Sequence, residues 1–503
     1  MKKIFSFILI LSLTAGLSLA QNVSDMLENA LSSVVTVAVY KTGIANQTLG
    51  FRGETVSDVA YEKALSLSGA LGSGSGFIIS RNGKKYVVTN AHVIQDASDE
   101  RGSIYIFSID GTKYEVKVVG GDSFYDIALL EFIGSPGNEI TSIDFKKAES
   151  RIGEPVYAIG NPLGEYPYSV SNGIISAKNR VREGITGKFG FLQTTATIIW
   201  GNSGGPLVDA SGKVAGVNTK IAFATSPDGE EVIQSQINFA VEAKIVERIV
   251  NDVLTYEGRV RRAYFGIEIS QSYNYEYVGS DNYTYVLQDT LAIISAVIPN
   301  SPASQNLNNY IGYAVLQVNG VKVRNVEEVL GEFEKITPGA NVTLKLANGS
   351  TSKTVSIKSS ELKENELEAI ALYVMEQVSN IKLLQKEPQL AVSVESENYY
   401  KYEEKQFSGR PINKKPGYNG NSSQSASKGE KYFMLAAGIV GENYQSMWKI
   451  TDLRYFGAAL KLCGMSGVID MYLLKPHDDL ENMELLRYYL SGDEDVMQST
   501  LWY

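Results

Sequence analysis

The sequence predicts a mainly β protein whose C-terminal part is of the α+β class. Between residues 30 and 240, short runs of β-branched and aromatic residues alternate with turn sequences such as Asn82-Gly83, Asp110-Gly111 and Ser211-Gly212. Strands of that length and spacing are typical of an all-β barrel or sandwich. A helix is expected at about 241–256, where apolar residues recur at helical spacing and a glycine follows.

The expected strands share a high content of Val, Ile, Tyr and Phe. They cover residues 33–40, 76–80, 85–89, 103–107, 114–119, 127–132, 155–159, 170–177 and 214–218. Their number and even spacing favour a closed or doubly layered β structure over a parallel α/β sheet.

Composition excludes several classes of site. The 503 residues include one cysteine, Cys463, and two histidines, His92 and His477. Structural zinc and iron–sulfur sites need several Cys or His ligands close together, so no metal and no cofactor is expected. The net charge of −10 argues against nucleic acid as a partner, because nonspecific binding depends on Lys and Arg that neutralise phosphates.

The N-terminus predicts an export signal. Lys2 and Lys3 precede an apolar run at 4–19 that ends in Ser18-Leu19-Ala20, the small-residue pattern of a cleavage site. An anchor helix is the alternative, but the run is short and contains several Ser and Gly residues. We expect cleavage after Ala20, no membrane span in the mature chain, and a periplasmic or otherwise exported protein.

Three polar residues of the β-rich region are candidates for catalysis. Gly201-Asn202-Ser203-Gly204-Gly205-Pro206 places a serine among glycines, where backbone N–H groups can turn toward a ligand. A serine needs a base to become a nucleophile, and His92 is the only histidine before residue 477. Asp126 opens an apolar strand, where its charge would need a partner.

Five segments together resemble the HtrA (Deg) family of chymotrypsin-type serine proteases. They are Gly72-Ser73-Gly74-Ser75-Gly76-Phe77, Thr89-Asn90-Ala91-His92-Val93, Asp126-Ile127-Ala128-Leu129-Leu130, Ala158-Ile159-Gly160-Asn161-Pro162 and Gly201-Asn202-Ser203-Gly204-Gly205-Pro206-Leu207. The resemblance covers residues 30–240. It implies a chymotrypsin-like double β-barrel, with His92 and Asp126 on the first barrel, Ser203 on the second, and the three meeting in the cleft.

The resemblance also implies a role for each site residue. Ser203 would attack the carbonyl, His92 would act as general base and acid, and Asp126 would orient His92. The N–H groups of Gly201 and Ser203 would bind the oxyanion.

The same resemblance places Thr197 at the base of the primary specificity pocket, with Ile198 beside it. Neither is a carboxylate, so cleavage after a small or medium apolar residue is expected rather than after Lys or Arg. The chain departs from the family pattern at Thr195, Ile199 and Trp200, which adjoin the oxyanion loop. Those departures keep a catalytically silent chaperone or peptide-binding protein open as the alternative function.

A second enzyme class is suggested by Gly201-Asn202-Ser203-Gly204-Gly205, which also fits the nucleophile elbow of α/β-hydrolases. That fold requires a helix directly after the serine and a later histidine. Here a proline and a turn follow the serine, and the only later histidine is His477. The glycine run at 72–76 is expected to be a flexible lead-in to the first barrel.

Residues 262–358 resemble the PDZ module of the same family. Tyr264, Phe265, Gly266 and Ile267 look like the loop that binds a peptide C-terminus through backbone N–H groups. A helix at 326–336 would form the other wall of the groove, and the peptide would add as a strand. C-terminal peptides are therefore expected partners of this module.

The complete expectation is an exported serine endopeptidase for misfolded or damaged proteins, regulated through a PDZ domain. By resemblance it is a homo-oligomer, a trimer, that acts on unfolded protein or peptide substrates. The expected domains are a signal peptide at 1–20, a trypsin-like protease domain at 21–258, a PDZ domain at 259–358, a helix and polar linker at 359–430, and a small domain of unknown type at 431–503. Within the linker region a helix is expected at about 361–385.

Overall fold

The computed structural model describes most of the chain in two compact units. The described residues are 23–40, 73–97, 101–161, 168–182, 188–199, 201–225, 231–274, 288–378, 381–385, 389–394, 431–439, 447–450, 452–462, 468–479, 484–489 and 499–500. The first unit comprises residues 1–180 and 190–260, and the second comprises the remainder. The expected signal peptide and residues 395–430 of the expected polar linker lie outside the described residues.

The first unit begins with helix α1 at residues 23–31 and continues into a closed six-stranded barrel. Its strands are β1 (Val34–Val39), β2 (Ser73–Arg81), β3 (Lys84–Thr89), β4 (Ile104–Phe107), β5 (Lys113–Asp122) and β6 (Ile127–Phe132), with the short helix α2 (Ala91–Ile94) after β3. Neighbours around the barrel follow the order β1-β2-β3-β6-β5-β4. Val37, Ile78, Val87 and Leu130 point inward and are fully or almost fully buried.

The second barrel of this unit is also closed and six-stranded. Its strands are β7 (Pro155–Gly160), β8 (Ser169–Arg182), β9 (Lys188–Thr194), β10 (Pro206–Asp209), β11 (Val214–Thr225) and β12 (Glu231–Glu242), in the order β10-β11-β12-β9-β8-β7. Helix α3 (Ala243–Thr255) follows and buries Val246, Ile249 and Val253.

The two barrels confirm the mainly β, chymotrypsin-like fold class. All nine expected strands are present, and the helix expected at 241–256 is α3. The strands β9, β10 and β12 were not predicted. The expected flexible lead-in at 72–76 was wrong, because residues 73–76 belong to strand β2, paired with β1 on one side and β3 on the other.

The second unit contains a seven-stranded antiparallel sheet. Its members are β14 (Ile267–Asn274), β15 (Gln288–Val297), β16 (Ala314–Val318), β17 (Val321–Lys322), β18 (Asn341–Asn348), β19 (Thr351–Lys358) and β27 (Ser499–Thr500). The order is β19-β18-β16-β15-β14-β27, and β17 pairs with β16. A two-stranded sheet joins β13 (Ala263–Tyr264) to β20 (Ser360–Glu361).

Two helices accompany the seven-stranded sheet. Helix α4 (Ser304–Leu307) runs into a 3-10 turn, and helix α5 (Val326–Glu334) begins at Asn325, whose side chain accepts a hydrogen bond from the Glu328 N–H at 2.9 Å. Such a cap satisfies one of the N–H groups left free in the first turn of a helix. The apolar face of α5 then packs in the core of this sheet.

The remaining part of the second unit is a six-stranded sheet with two helices. The strands are β21 (Ile381–Gln385), β22 (Ala391–Val394), β23 (Lys431–Ile439), β24 (Met447–Lys449), β25 (Val468–Leu474) and β26 (Glu484–Tyr489). The helices are α6 (Glu364–Tyr373), which continues into a π-helical turn at Val374–Val378, and α7 (Leu453–Leu462). Among the described residues, no helix is long and apolar enough to cross a membrane.

This C-terminal region differs from the expectation in two respects. The helix expected to continue to residue 385 ends near 378, and Ile381–Gln385 is strand β21. Strands β21 and β22 of the six-stranded sheet lie in the segment that was expected to be helix and linker. The part of the chain that packs with this sheet therefore begins near residue 364 rather than at 431. Along Ile381–Gln385, burial alternates from one residue to the next, as in a strand, and does not follow the three- to four-residue spacing of a helix.

Helices α6 and α7 approach closely at Gly457. A Cβ added to this glycine would lie 2.0 Å from the carbonyl oxygen of Leu367. Gly457→Ala would ordinarily stabilise a helix, but here we expect a loss of about 1–3 kcal/mol in the free energy of unfolding, because the helices must separate. Thermal unfolding of the variant measures the loss. Tyr455→Ala, at an exposed position of the same helix, is the control, and equal stability of the two variants would contradict the close approach.

Candidate active site

His92 and Asp126 are brought together by the first barrel. His92 lies in helix α2 directly after β3, and Asp126 lies directly before β6, the strand that pairs with β3. The Asp126 carbonyl oxygen accepts hydrogen bonds from the Ala91 N–H at 3.1 Å and from the Asn90 side chain at 2.7 Å. These bonds fix the two segments against each other at the end of the paired strands.

The Asp126 carboxylate accepts three hydrogen bonds. The Nδ1 atom of His92 lies 2.7 Å from Oδ2, and the His92 backbone N–H donates to Oδ1 at 2.9 Å. The hydroxyl of Thr219, from strand β11, donates to Oδ2 at 3.0 Å. With Nδ1–H donating to the carboxylate, the lone pair of the neutral imidazole is on Nε2, so this ring can accept a proton there.

Asp126 adopts a left-handed backbone conformation with φ of 58°. Residues other than glycine pay a conformational cost there, although Asp and Asn tolerate the region best. The donors to its carbonyl and carboxylate oxygens hold the residue in place. Such retained strain is common where a side chain must be aimed at a reacting group.

Ser203 lies in the loop before β10, and Thr219 connects it with Asp126. The Ser203 hydroxyl donates to the Thr219 carbonyl oxygen at 3.4 Å, while the Thr219 side chain binds Asp126. Thr219 is buried. Thr219 was not among the predicted site residues, because a hydroxyl bond across the barrels leaves no local sequence signal.

The loop containing Ser203 is a succession of tight turns. The Asn202 N–H donates to the Ile199 carbonyl at 3.0 Å, which closes a four-residue turn with Gly201 in third position. Gly201 has φ of 93°, in the left-handed region that favours glycine. Gly204, with φ of 84°, has no room for a side chain, since a Cβ would lie 2.2 Å from the Ser75 carbonyl oxygen.

Ser75 of strand β2 holds this loop on the first barrel. Its backbone N–H donates to the Ser203 carbonyl at 2.8 Å, and its hydroxyl donates to the Gly201 carbonyl at 2.7 Å. The same hydroxyl oxygen accepts from the Asn161 N–H at 2.8 Å. Ser75 is fully buried. Ser75 belongs to the Gly72–Phe77 motif, but the motif did not indicate this contact.

The residues expected near the specificity pocket occupy different environments. Ile198 is buried in the core of the second barrel, whereas Thr197 is exposed and its carbonyl accepts from the Ser171 hydroxyl at 2.7 Å. Thr195 Oγ1 accepts the Ile174 N–H at 2.9 Å, so this departure from the family pattern still anchors the loop to β8. Trp200 lies outside the described residues, and the pocket assignment stays a prediction.

The residues expected to bind peptide form the turn between β13 and β14. Gly266 has φ of 76°, and a Cβ there would lie 2.1 Å from the side chain of Ser301. Phe265 and Ile267 are fully buried in the core of the seven-stranded sheet. Tyr264 instead packs into the C-terminal core, and burial raises the pKa of its phenol.

The other residues singled out from composition do not join the site. His477 lies in an exposed turn after β25 with φ of 77°, and Cys463 lies outside the described residues. In the part of the chain that the structure describes, no cluster of three or more His, Cys, Asp or Glu side chains could hold a metal ion.

Comparison with known proteins identifies serine proteases. The family model for the trypsin-like peptidase domain matches residues 74–217. The chain is 35% identical over 274 residues to the serine endoprotease DegS of Salmonella typhimurium, which covers 53% of this chain and 70% of that protein.

Two further relatives match over a similar length. Identity is 32% over 300 residues with Protease Do-like 1, chloroplastic, of Arabidopsis thaliana, covering 57% of this chain and 63% of that protein. It is 31% over 301 residues with the periplasmic serine endoprotease DegP of Escherichia coli, covering 60% and 59%. The chain thus spans less than two thirds of the length of these two relatives.

Among solved structures, one titled HtrA-type protease AlgW with tripeptide is matched over 68% of this chain and 97% of that chain. The TM-score is 0.43 and the sequence identity is 22%.

The hydroxyl of Thr219 is expected to contribute to turnover through Asp126. Thr219→Val removes the donor to the carboxylate, and a hydrogen bond to a charged group is worth about 1.5–3 kcal/mol, so kcat on labelled casein should fall roughly tenfold or more. Thr219→Ser keeps the donor and should stay within about twofold of the parent. If the Val and Ser variants had the same kcat, the hydroxyl would have no such role.

Ser75 is expected to be needed for both stability and activity. Ser75→Ala leaves the Gly201 carbonyl without this donor, at a cost of about 1–3 kcal/mol in the free energy of unfolding, and loosens the loop that carries Ser203. The matched control is Ser33→Ala, a buried serine of the first unit bonded to Thr141. Urea unfolding and casein turnover measure the two effects. A Ser75→Ala chain that keeps the casein turnover of the Ser33→Ala chain would refute the positioning role.

Proposed function

The chain belongs to the HtrA/Deg family of trypsin-like serine endopeptidases, and from that premise we propose that it degrades misfolded or damaged proteins outside the cytoplasm through Ser203, His92 and Asp126. The observation that carries the proposal is the 2.7 Å contact between His92 Nδ1 and Asp126 Oδ2, which Thr219 connects to Ser203. An aspartate, a histidine and a serine in this relation have the chemistry of acyl transfer.

The proposed reaction begins with proton transfer from Ser203. As Oγ attacks the substrate carbonyl, Nε2 of His92 takes the hydroxyl proton, and the imidazolium that forms is stabilised by the adjacent Asp126 carboxylate. His92 then gives the proton to the leaving amine, and a water molecule hydrolyses the acyl-enzyme by the same route. The bond from Ser203 Oγ to Thr219, at 3.4 Å, is long and is given up as the hydroxyl turns to the substrate.

The oxyanion of the tetrahedral intermediate is proposed to bind the backbone N–H groups of Gly201 and Ser203. The support is the turn closed by the bond from the Asn202 N–H to the Ile199 carbonyl, in which Gly201 has a positive φ. Removing one such donor in a serine protease costs on the order of 3 kcal/mol of transition-state stabilisation. The bond from Ser75 to the Gly201 carbonyl holds this turn.

Residues 259–358 are proposed to be a PDZ domain that binds peptides and regulates cleavage. Support comes from strand β14, which starts directly after the Tyr264-Phe265-Gly266 turn, and from helix α5, which packs on the same sheet. A peptide would add to the edge of β14 as a further strand.

Export and self-association belong to the same proposal. The pattern at residues 1–20 predicts a cleaved signal, and relatives such as DegP are named as periplasmic. By resemblance the active form is a homo-oligomer, a trimer, and unfolded polypeptides are its substrates.

Casein degradation by the purified protein tests the proposal. Ser203→Ala is expected to lower kcat by at least about 10⁴-fold, because loss of the nucleophile removes the covalent route. Ser211→Ala, an exposed serine in the turn between β10 and β11, is the matched control and should keep the parent rate. Equal, negligible turnover by the parent and Ser203→Ala chains would instead support the chaperone or peptide-binding alternative.

A further inference from the structure

We propose that the peptide-binding edge of β14 is occupied by a segment of the same chain, strand β27 (Ser499–Thr500), and that a peptide ligand must displace this segment to bind. The proposal rests on the proposed PDZ function and names the partner that this surface holds in the absence of a ligand. It makes the C-terminal region an intramolecular competitor of peptides.

The pairing is antiparallel and lies on the edge of β14 away from β15. Ile269 pairs with Thr500, and Ser270 pairs with Ser499. On its other edge β14 forms a hairpin with β15, in which Ser270 pairs with Ile293. Strand β27 therefore completes the sheet at the position where β14 would otherwise present unpaired N–H and C=O groups.

This edge is the one that an extended peptide would join. Strand β14 begins at Ile267, immediately after Gly266, whose positive φ turns the chain into the strand. Phe265 packs on Phe333 of α5 with ring centroids 4.9 Å apart, so the start of β14 and the helix belong to one core. A strand that adds here obtains its affinity from main-chain hydrogen bonds, largely independent of its side chains.

The occupant is tethered close to its site. Strand β26 ends at Tyr489, and residues 490–498 connect it to β27. The sheet containing β26 shares a core with Tyr264 and Ile298, which lie at the end of the β14–β15 pair where Ile267 pairs with Val297. A short tether of this kind gives an effective concentration in the millimolar range. A free peptide must overcome that concentration to bind.

The same geometry makes the occupant exchangeable. Within the described residues, two residue pairs join β27 to β14, whereas β14 runs for eight residues from Ile267 to Asn274. A peptide that pairs along more of the strand forms more main-chain hydrogen bonds than β27 does. An unpaired edge invites association with other chains, and β27 covers part of this one until a better ligand arrives.

The test measures peptide binding directly, on the full chain carrying Ser203→Ala so that no cleavage interferes. The probe is a fluorescein-labelled peptide of residues 494–503 with blocked ends. Ser499→Pro combined with Thr500→Pro removes both N–H groups and prevents strand pairing. Ser499→Ala combined with Thr500→Ala keeps the backbone donors and is the matched control.

We expect the double proline chain to bind the probe at least about tenfold more tightly than the parent and the double alanine chain, as measured by fluorescence anisotropy. Hydrogen exchange of the β14 amides should quicken in the double proline chain and slow again when the probe is added. Unchanged exchange in the β18–β19 hairpin shows that the domain remains folded.

Equal affinity of the parent and double proline chains for the probe would overturn the proposal, as would a double proline chain that does not bind it. In the second case, binding of other peptides from a C-terminal peptide library would leave the proposed PDZ function intact. Casein turnover, measured separately on the chain with Ser203, decides the proposed protease function without reference to β27.

Discussion

The candidate active site depends on the close contact between strand β2 of the first barrel and the loop that carries Ser203 in the second. A Cβ at Gly204 would lie 2.2 Å from the Ser75 carbonyl oxygen, so the loop reaches β2 only because a glycine stands there. The Ser75 N–H and hydroxyl then bind the Ser203 and Gly201 carbonyls. Because these contacts tie residues more than 120 positions apart, the position of Ser203 relative to His92 is decided by barrel packing rather than by any local segment.

The free-energy cost of placing Asp126 in this site is offset by hydrogen bonds. Its carboxylate is largely withdrawn from water, and its backbone is in a left-handed conformation that costs on the order of 1–3 kcal/mol for residues other than glycine. Three donors to the carboxylate and two to the carbonyl offset both costs. Since the donors come from α2 and from β11, the charge is satisfied only when both barrels are in place. The stability of the first unit and the geometry of its candidate site therefore both depend on the hydrogen bonds of this buried aspartate.

The sequence predicted the site residues whose side-chain types suggest catalysis, namely Ser203, His92 and Asp126. The small number of histidines was decisive, because a chain with two of them offers few candidates for a general base. The order of the motifs along the chain then favoured His92, and the structure places its ring against Asp126. Ser75 and Thr219 were missed since each acts through a single hydroxyl bond across the barrel junction, and serine and threonine are common in strands. Gly74 and Gly76 were expected to make the segment flexible. In the structure they instead allow neighbouring atoms to approach the backbone of β2 closely. At Gly74 an added Cβ would lie 2.6 Å from Val93, the residue that follows His92.

The C-terminal region could not be predicted as well, because its order depends on packing rather than on periodicity. Tyr264 and Phe265 are neighbours, yet Tyr264 lies in the core formed by α6, α7 and the six-stranded sheet, and Phe265 lies in the core beneath α5. The turn that opens β14 is thus held from both sides. Well-packed cores do not deform gradually, so a rearrangement on one face of this turn changes the packing on the other. A region without recognisable motifs can in this way affect strand β14, through packing contacts that are visible only in the folded chain.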